Sequence, residues 1–370
     1  MAHRVDSLIV PPSADAEELN RLLDYKNYAS VRLKDVEITR EDCARLAKLP
    51  AIQHLDLRGS TIDDAGFTKL VDRYYFETLR IGGTKISPSA LQTAFQKLSV
   101  TNLDLSDLGL SDEQLNELKL DRMGVIMPRT KLNLAGNPIT DEGIGTLGNF
   151  NILDLSRTKI AGMSLDKLTT IERLLVDQTE FHDSALSQLS SSAIALDHIS
   201  IRDTKVTDAG LAALKKFKLL NSVDIGEGPI TVGGLQASGR TGWKHLGLNA
   251  KKFDGKMFMD KNNPFAAEEL DMSDSGMTDG DIPALQNVSG LTKLSLARCT
   301  ITAAALPALK DLNLQEVDLT DTAVQAEDVR MLRGFVTRVR LSLKQCGNNV
   351  PLYVKEGFQI AEWADWPERL

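Results

Sequence analysis

Histidine, arginine and carboxylate side chains that could form a polar site recur through the second half of the chain. Imidazole and carboxylate groups can bind a metal, act as a general base or pair with a charged partner. The residues concerned are His198, Arg202, Asp224, His245, Asn249, Asp271, Asp274 and Asp318. Which chemistry is open to them depends on how closely the fold brings them together.

The spacing of these residues disfavours both metal binding and catalysis. The chain has 5 His and 3 Cys, but they form no compact metal-ligand motif. If His198 and His245 lie two strands apart in a parallel sheet, about 10 Å separates them. The sequence also contains no nucleophile elbow and no glycine-rich phosphate loop. We therefore expect no enzymatic activity, no metal site and no cofactor.

A short motif that repeats along the chain supplies the elements that would position these side chains. Residues 153–160 read Leu-Asp-Leu-Ser-Arg-Thr-Lys-Ile, and this alternation indicates a short strand with one buried face. The second apolar residue of the motif recurs at intervals of about 24 residues. It is found at Leu33, Leu57, Ile81, Leu105, Leu134, Leu155, Val176, Ile201, Ile225, Leu248, Met272, Leu296, Leu319 and Leu341.

A helix start follows many of the predicted strands. Ser, Thr or Asp occupies a position where its side-chain oxygen can accept from the free amides of a first helical turn. After one of these residues, Thr207, the apolar residues Leu211 and Leu214 fall on one helical face. Each repeat is thus predicted to be a strand, a turn and a short helix, and such repeats stack into a solenoid. The predicted capping residues are Asp63, Ser87, Thr140, Thr207, Thr231 and Thr302.

These residues resemble the leucine-rich-repeat family over roughly residues 8–343. The nearest match is the ribonuclease-inhibitor-like and cysteine-containing-like subfamily, with repeats of about 24 residues. The resemblance implies an α/β right-handed solenoid, or horseshoe, with parallel strands on the concave face and short helices on the convex face. It also implies that a small polar residue in each repeat turns inward and bonds to backbone groups. Those residues would be Ser60, Thr84, Asn137, Thr158, Thr179, Thr204, Ser275, Cys299 and Thr322.

The repeat pattern predicts one domain over residues 1–370. Residues 1–28 read as an N-terminal cap or incomplete repeat, residues 29–345 as about 14 repeats, and residues 346–370 as a C-terminal cap. A solenoid of this length needs no division, because each repeat contacts only its neighbours.

Composition limits the partner classes. The chain has 42% hydrophobic residues, a formal net charge of −8 and no apolar run long enough to span a membrane. The negative charge disfavours nucleic acid as a partner. The three cysteines form no disulfide framework, and the first residues lack the apolar core of a signal peptide. We expect a cytoplasmic monomer, although removal of an export signal would leave the same sequence.

The residues named at the outset lie on the outward side of the predicted strands, so they are candidate contacts for a protein or peptide partner. Gly226 and Gly247 place no side chain there and predict a shallow hollow, which would be bordered by His198, Arg202, Asp224, His245 and Asn249. The carboxylates favour a basic partner. The alternatives are that these charges only solvate the surface, and that the chain is a structural spacer or self-associating element of a larger assembly.

One irregular segment offers a second candidate contact. Residues 256–265 interrupt the repeat with Met257, Phe258 and Phe265 among basic and turn residues. Either these side chains fill the core where helix geometry is lost, or they protrude and bind a partner, a use to which Met is suited.

Overall fold

A computed structural model of the chain describes residues 7–10, 28–49, 52–72, 75–122, 130–148, 150–239, 242–260, 265–346 and 359–360. The chain divides into two compact units, residues 1–175 and 176–370. The single domain expected from the repeat pattern stays a prediction, and most of the two expected caps lies outside the described residues.

The first unit alternates strands with short helices, and its strands pair in parallel in the order of the sequence. Its helices are Arg40–Leu46, Asp64–Leu70, Pro88–Phe95, Asp112–Glu117 and Asp141–Ile144, with 3-10 turns at Leu120–Arg122 and Leu165–Lys167. Its strands are β1 (Ser7–Ile9), β2 (Ser30–Arg32), β3 (His54–Asp56), β4 (Tyr75–Arg80), β5 (Ser99–Asp104), β6 (Lys131–Asn133), β7 (Ile152–Asp154) and β8 (Arg173–Leu175).

The second unit follows the same plan, again with neighbouring strands parallel. Its α-helices are Asp183–Ser192, Asp208–Leu211, Val232–Ala237, Leu306–Lys310, Ala326–Val329 and Leu343–Cys346. Its 3-10 helices are Ala212–Lys216, Gly255–Phe258, Asp279–Asn287, Ala303–Ala305 and Arg330–Leu332. Its strands are β9 (His198–Ser200), β10 (Ser222–Ile225), β11 (Gly242–Leu248), β12 (Ala266–Asp271), β13 (Lys293–Ser295), β14 (Glu316–Asp318), β15 (Arg338–Leu341) and β16 (Gln359–Ile360).

Strand register follows the repeated apolar positions, as the sequence predicts. In the second unit Leu246 pairs with Leu270 and Leu270 with Leu294, and in the first unit Leu55 pairs with Leu79. All of these side chains are buried. Because side chains alternate across a strand, a slip of one residue would expose the whole apolar row, so burial fixes the register.

The predicted inward-facing polar residues are confirmed. Thr158 Oγ1 donates to the carbonyl of Leu155 at 2.6 Å, and the amide of Asn137 donates to Leu105 and Leu134 at 2.9 and 2.8 Å. Satisfying these carbonyls matters because a buried, unpaired backbone group costs about as much as a lost hydrogen bond. The same role is played by the Sγ of Cys299, 2.9 Å from the carbonyl oxygen of Met272.

The predicted capping residues also bind the neighbouring repeat, which the sequence did not reveal. Thr231 caps its own helix by accepting from Gly234 N. It also donates its backbone N–H and its hydroxyl to the two carboxylate oxygens of Asp208, both at 2.7 Å. We call this arrangement the inter-repeat clamp. It recurs as Asp64 with Ser87, Asp112 with Thr140, Asp183 with Thr207 and Asp279 with Thr302.

The clamp crowds a glycine in three of the helices that follow, at Gly143, Gly210 and Gly234. A Cβ on Gly234 would lie 1.9 Å from Asp208 Oδ1, and a Cβ on Gly210 would lie 2.2 Å from Asp183 Oδ1. Neither position can accept a side chain while the clamp is closed. Three repeats therefore carry glycine three residues after the clamping Thr, whereas Ala90 and Ala305 occupy that position after the clamps of Ser87 and Thr302.

Gly234→Ala should destabilise the protein, whereas Gly233→Ala should not. The two glycines are adjacent in one helix, but a Cβ at 233 would meet only Thr231 Oγ1 at 3.6 Å. We expect Gly234→Ala to lower the free energy of unfolding by roughly 1–3 kcal/mol through overpacking, and Gly233→Ala to raise it by up to about 1 kcal/mol. Denaturant unfolding measures both.

The Asp208→Ala variant tests whether crowding by the Asp208 carboxylate causes the loss of stability. In Asp208→Ala protein the obstructing carboxylate is gone, so adding Gly234→Ala should cost much less than it does in wild type. An undiminished cost in that background would contradict the steric explanation.

Candidate functional site

The strand register brings the predicted site residues together in the second unit. We call the solvent side of β9–β15 the strand face, since its side chains alternate with those in the core. Ser222 pairs with His198 on one side and His245 on the other, and His245 pairs with Glu269. Two residues further along the strand, Asp224 pairs with Ser200 and with Gly247.

Asp224 forms the centre of this group. Its carboxylate accepts from Arg202 Nη2 at 2.8 Å, and its oxygens lie 3.0 Å from His245 Nε2 and 3.3 Å from His198 Nε2. Only 1% of the residue is exposed. Burial would raise the pKa of Asp224, but the contacts of the two histidines and the charge of Arg202 outweigh it and hold the pKa well below the usual value.

The hollow expected at Gly226 and Gly247 is filled, which corrects the prediction. A Cβ on Gly247 would lie 1.9 Å from Asp224 Oδ1, so the carboxylate occupies the space that the glycine leaves. At Gly226 the neighbours would be Asp203 Oδ1 at 2.8 Å and Arg202 Cβ at 2.9 Å. The glycines admit polar side chains from adjacent strands instead of leaving an opening.

His245 lies between two carboxylates. Its Nε2 faces Asp224, and its Nδ1 lies 3.2 Å from Glu269 Oε1. The rings of His245 and His198 are closer than the roughly 10 Å expected from strand spacing, with centroids 6.1 Å apart, because the side chains lean toward each other. Ser222 pairs with both histidines in the strand register, and its hydroxyl donates to Asn221 Oδ1 at 2.7 Å. This geometry aligns no histidine nitrogen as a base for that hydroxyl.

Arg202 links the cluster to a residue that sequence reasoning missed. Asp177 accepts from the backbone N–H of Arg202 at 2.8 Å and from the hydroxyl of Ser200 at 2.6 Å. Burial raises the pKa of Asp177 to about 6, and the charge of Arg202 limits the rise. The available signal was its place in the repeat, one residue after the apolar Val176.

Asn249 stands at the other margin of the cluster. Its Nδ2 donates to the carbonyl of Ser273 at 3.1 Å. Within the described part of the chain, its Oδ1 and the Nε of Arg202 are buried without a hydrogen-bond partner.

The three remaining predicted carboxylates occupy different settings. Asp271 is buried and accepts from the backbone N–H and the hydroxyl of Ser273. Asp318 accepts from Thr320 N at 2.9 Å, and burial raises its pKa. Asp274 lies in a turn with a φ of 60° and forms an exposed ion pair of 2.6 Å with Arg298. Asp274 is therefore separate from the strand-face row.

A recess opens on the strand face around Ser295, whose short side chain lies between longer neighbours. The recess is open to solvent, and the roughly 330 Å³ of space between its side chains includes part of that solvent. Charges of both signs surround it, and Glu316 and Arg338 form an ion pair of 2.5 Å across adjacent strands. The recess was not predicted, because it depends on side-chain length along neighbouring strands. Its lining includes Glu269, Lys293, Ser295, Glu316, Asp318, Arg338 and Arg340.

The second candidate contact lies in the core. Met257, Phe258 and Phe265 are all buried, with 4%, 2% and 4% of their surface exposed. The rings of Phe258 and Phe265 pack edge to face with centroids 5.6 Å apart. This favours the core alternative, since a 3-10 turn at Gly255–Phe258 replaces the expected helix and needs large apolar side chains to fill its space.

The residues that the structure describes offer neither a metal-ion site nor a membrane-spanning helix. They contain no group of three or more His, Cys, Asp or Glu side chains that could hold a metal ion. Across the same ranges, no helix is both long and apolar enough to cross a membrane.

Comparisons with known proteins concern the fold. A family model for the leucine-rich repeat matches residues 130–148. The chain is similar to an internalin (InlF) of Listeria monocytogenes, with 20% identity, 90% of this chain and 85% of that chain covered, and a TM-score of 0.47. It is also similar to the mouse RP105/MD-1 structure, with 17% identity, 96% and 69% covered, and a TM-score of 0.41. None of the curated proteins matches the sequence.

Asp224→Asn should be strongly destabilising, whereas Asp274→Asn should be nearly neutral. Removing the Asp224 charge leaves Arg202 and the histidines facing a neutral amide in a buried site, and breaking such a group costs about 3–5 kcal/mol. Asp274 and Arg298 are about half exposed, so their pair is worth less than about 1 kcal/mol. Denaturant unfolding at pH 7 compares the variants.

The pH dependence of the two unfolding free energies tests whether the ionised Asp224 carboxylate is the cause. Because folding lowers the pKa of Asp224, its stabilisation is present above the unfolded value of about 3.9 and is lost as pH falls through the folded value. The gap between wild type and Asp224→Asn should therefore narrow in acid. A gap that is absent at pH 7 would contradict the central role of this carboxylate.

Proposed function

We propose that this chain, a leucine-rich-repeat protein, is a non-catalytic scaffold that binds a protein or peptide partner through the strand face of its second unit. In the family that it resembles, this is the concave face. The observation that carries the proposal is the concentration of charged side chains there, from Arg202 and Asp224 to the recess around Ser295.

The proposed contact residues divide into two roles. Arg202, Asn249, Asp274 and Asp318 are partly exposed, whereas Asp271 is buried. Asp224 is buried and would act by holding its neighbours. His198 and His245, which are nearly buried, complete the set.

We further propose that the partner presents a basic side chain to the recess. Asp271 and Asp318 occupy the same row two strands apart, with Ser295 between them. Burial raises the pKa of Asp318, and repulsion by Asp271 adds a smaller upward effect, while Thr320 and Arg340, whose Nη1 is 3.8 Å from Asp318 Oδ2, oppose the rise. At about 4.8 Å per strand, a Lys or Arg side chain above Ser295 would lie about 5 Å from each carboxylate and relieve that repulsion.

Neutralising these two carboxylates should abolish partner capture. The test variant is Asp271→Asn with Asp318→Asn, and the matched control is Asp311→Asn with Glu327→Gln, which makes the same charge change at exposed residues outside the strand face. Wild type and control should retain the same protein from a lysate of the source organism. The test variant should bind it at least about tenfold more weakly, as expected for loss of a hydrogen-bonded charge pair.

The other outcomes of this experiment would indicate a different binding site or a different function. Equal retention by the test variant, with its fold confirmed by circular dichroism, would contradict the strand-face site. Loss in the control alone would place the contact outside that face. If wild type retains nothing, sedimentation becomes decisive, because a stable oligomer would support the self-associating alternative.

A further inference from the structure

Both ring nitrogens of His245 lie against carboxylate oxygens. Nε2 is 3.0 Å from Asp224 Oδ1, and Nδ1 is 3.2 Å from Glu269 Oε1. A neutral imidazole carries one N–H and one lone pair, so it can donate to only one of these acceptors. The imidazolium donates to both. The contacts therefore match the protonated form of His245.

We propose that His245 is a proton-dependent latch that holds Glu269 when protonated and releases it to the recess when deprotonated. This inference rests on the proposed function, because it assigns a regulation to the same strand face. It makes affinity for a basic partner rise with pH.

The Asp224 end of the latch is fixed. Asp224 is buried, also accepts from Arg202 and lies 3.3 Å from His198. Its low pKa keeps the carboxylate ionised. When His245 loses a proton, the remaining one stays on Nε2, where it faces this buried charge.

The Glu269 end can move. About 27% of its side chain is exposed, and it lines the recess around Ser295. After deprotonation of Nδ1, a lone pair would face the carboxylate at 3.2 Å. Two acceptors at this distance repel each other, so Glu269 turns away from the ring. It then adds a carboxylate to the surface that we propose binds a basic side chain.

Charged groups from the surrounding strands set the balance of the latch. Asp224 and Glu269 favour the imidazolium, and Arg202 opposes it. Burial raises the pKa of Asp177, which contacts Arg202, to about 6, so its titration must be separated from that of His245 in any measurement. The ionisable groups facing the latch or its immediate partners are Asp177 after β8, His198 and Arg202 from β9 and its turn, Asp224 from β10, Glu269 and Asp271 from β12, and Lys293 from β13.

The consequence for binding has a definite sign. Deprotonation removes a positive charge at His245 and frees a negative one at Glu269, so both changes favour a cationic partner. For partly exposed charges the expected gain is up to about fivefold in affinity. By linkage, a bound cationic partner must lower the pH at which His245 changes from the imidazolium to the neutral imidazole.

Nitrogen-15 NMR of the histidine rings tests the latch directly. The samples are the full chain, Glu269→Gln, the neighbouring exposed control Glu268→Gln, and Asp177→Asn to exclude the titration of that residue. Wild type, Glu268→Gln and Asp177→Asn should keep both His245 nitrogens protonated at pH 7.5, above the ordinary histidine pKa of about 6.5. Glu269→Gln should lose one proton at a lower pH.

Two results would overturn the latch. One is a wild-type His245 that carries a single proton at pH 6, and the other is identical titration in Glu269→Gln and Glu268→Gln. Adding hexalysine then separates this proposal from the proposed function. If hexalysine lowers the pH at which His245 is deprotonated, the result supports both the latch and the basic partner. If His245 titrates as predicted but hexalysine does not change the titration, the result contradicts the basic partner alone.

Discussion

Each repeat in this protein is completed by the next one, and the inter-repeat clamp shows this dependence most clearly. Thr231 caps its own helix and at the same time fills the acceptor sites of Asp208 in the preceding repeat. The backbone of one strand likewise pairs with its neighbour in the same register. Since buried polar groups must find partners, no repeat can shift without leaving donors and acceptors unpaired on both sides.

This fixed register produces the polar cluster of the second unit. Strands about 4.8 Å apart place His198, Asp224 and His245 within contact, because each residue comes from the same part of its own repeat. Gly247 leaves room for the Asp224 carboxylate to lie over the neighbouring strand. The cluster is thus a consequence of backbone spacing, and its chemistry depends on which residues occupy three adjacent rows.

Buried charge clusters are a weak source of stability, because desolvation offsets much of the attraction. Removing one member is still costly, since its partners then lose their counter-charge. Loss of Asp224 alone can therefore unfold the protein even though the charged cluster as a whole adds little net stability. The exposed side of the cluster, at Glu269 and Arg202, is where its charge becomes available to a partner.

The sequence predicted the repeating parts of the structure and missed the contacts between repeats. Register, inward polar residues and helix caps follow from local patterns around residues such as Leu246, Thr158 and Thr231, so they could be read directly. The hollow at Gly247 was wrong because a glycine shows only that a side chain is missing. Which neighbour enters the space depends on the adjacent strand, here Asp224.

Contacts that cross between repeats leave weaker signals. An Asp at the first position of a helix, such as Asp208, reads as an ordinary favourable charge at a helix start, and its bond to Thr231 is invisible in the pattern. The recess around Ser295 likewise depends on the relative lengths of side chains on three strands.

An apolar replacement of the whole cluster tests the central claim most directly, namely that these charges serve recognition and not stability. The variant combines His198→Phe, Arg202→Met, Asp224→Leu and His245→Phe, and its free energy of unfolding is compared with wild type. The account predicts equal or greater stability, because the buried centre of the cluster then carries no charge. Asp177 keeps its hydrogen bonds from Ser200 and from the backbone N–H of residue 202, and Glu269 is partly exposed. A loss of more than about 3 kcal/mol, comparable to breaking a buried pair, would show that the cluster is a structural element and would contradict the account.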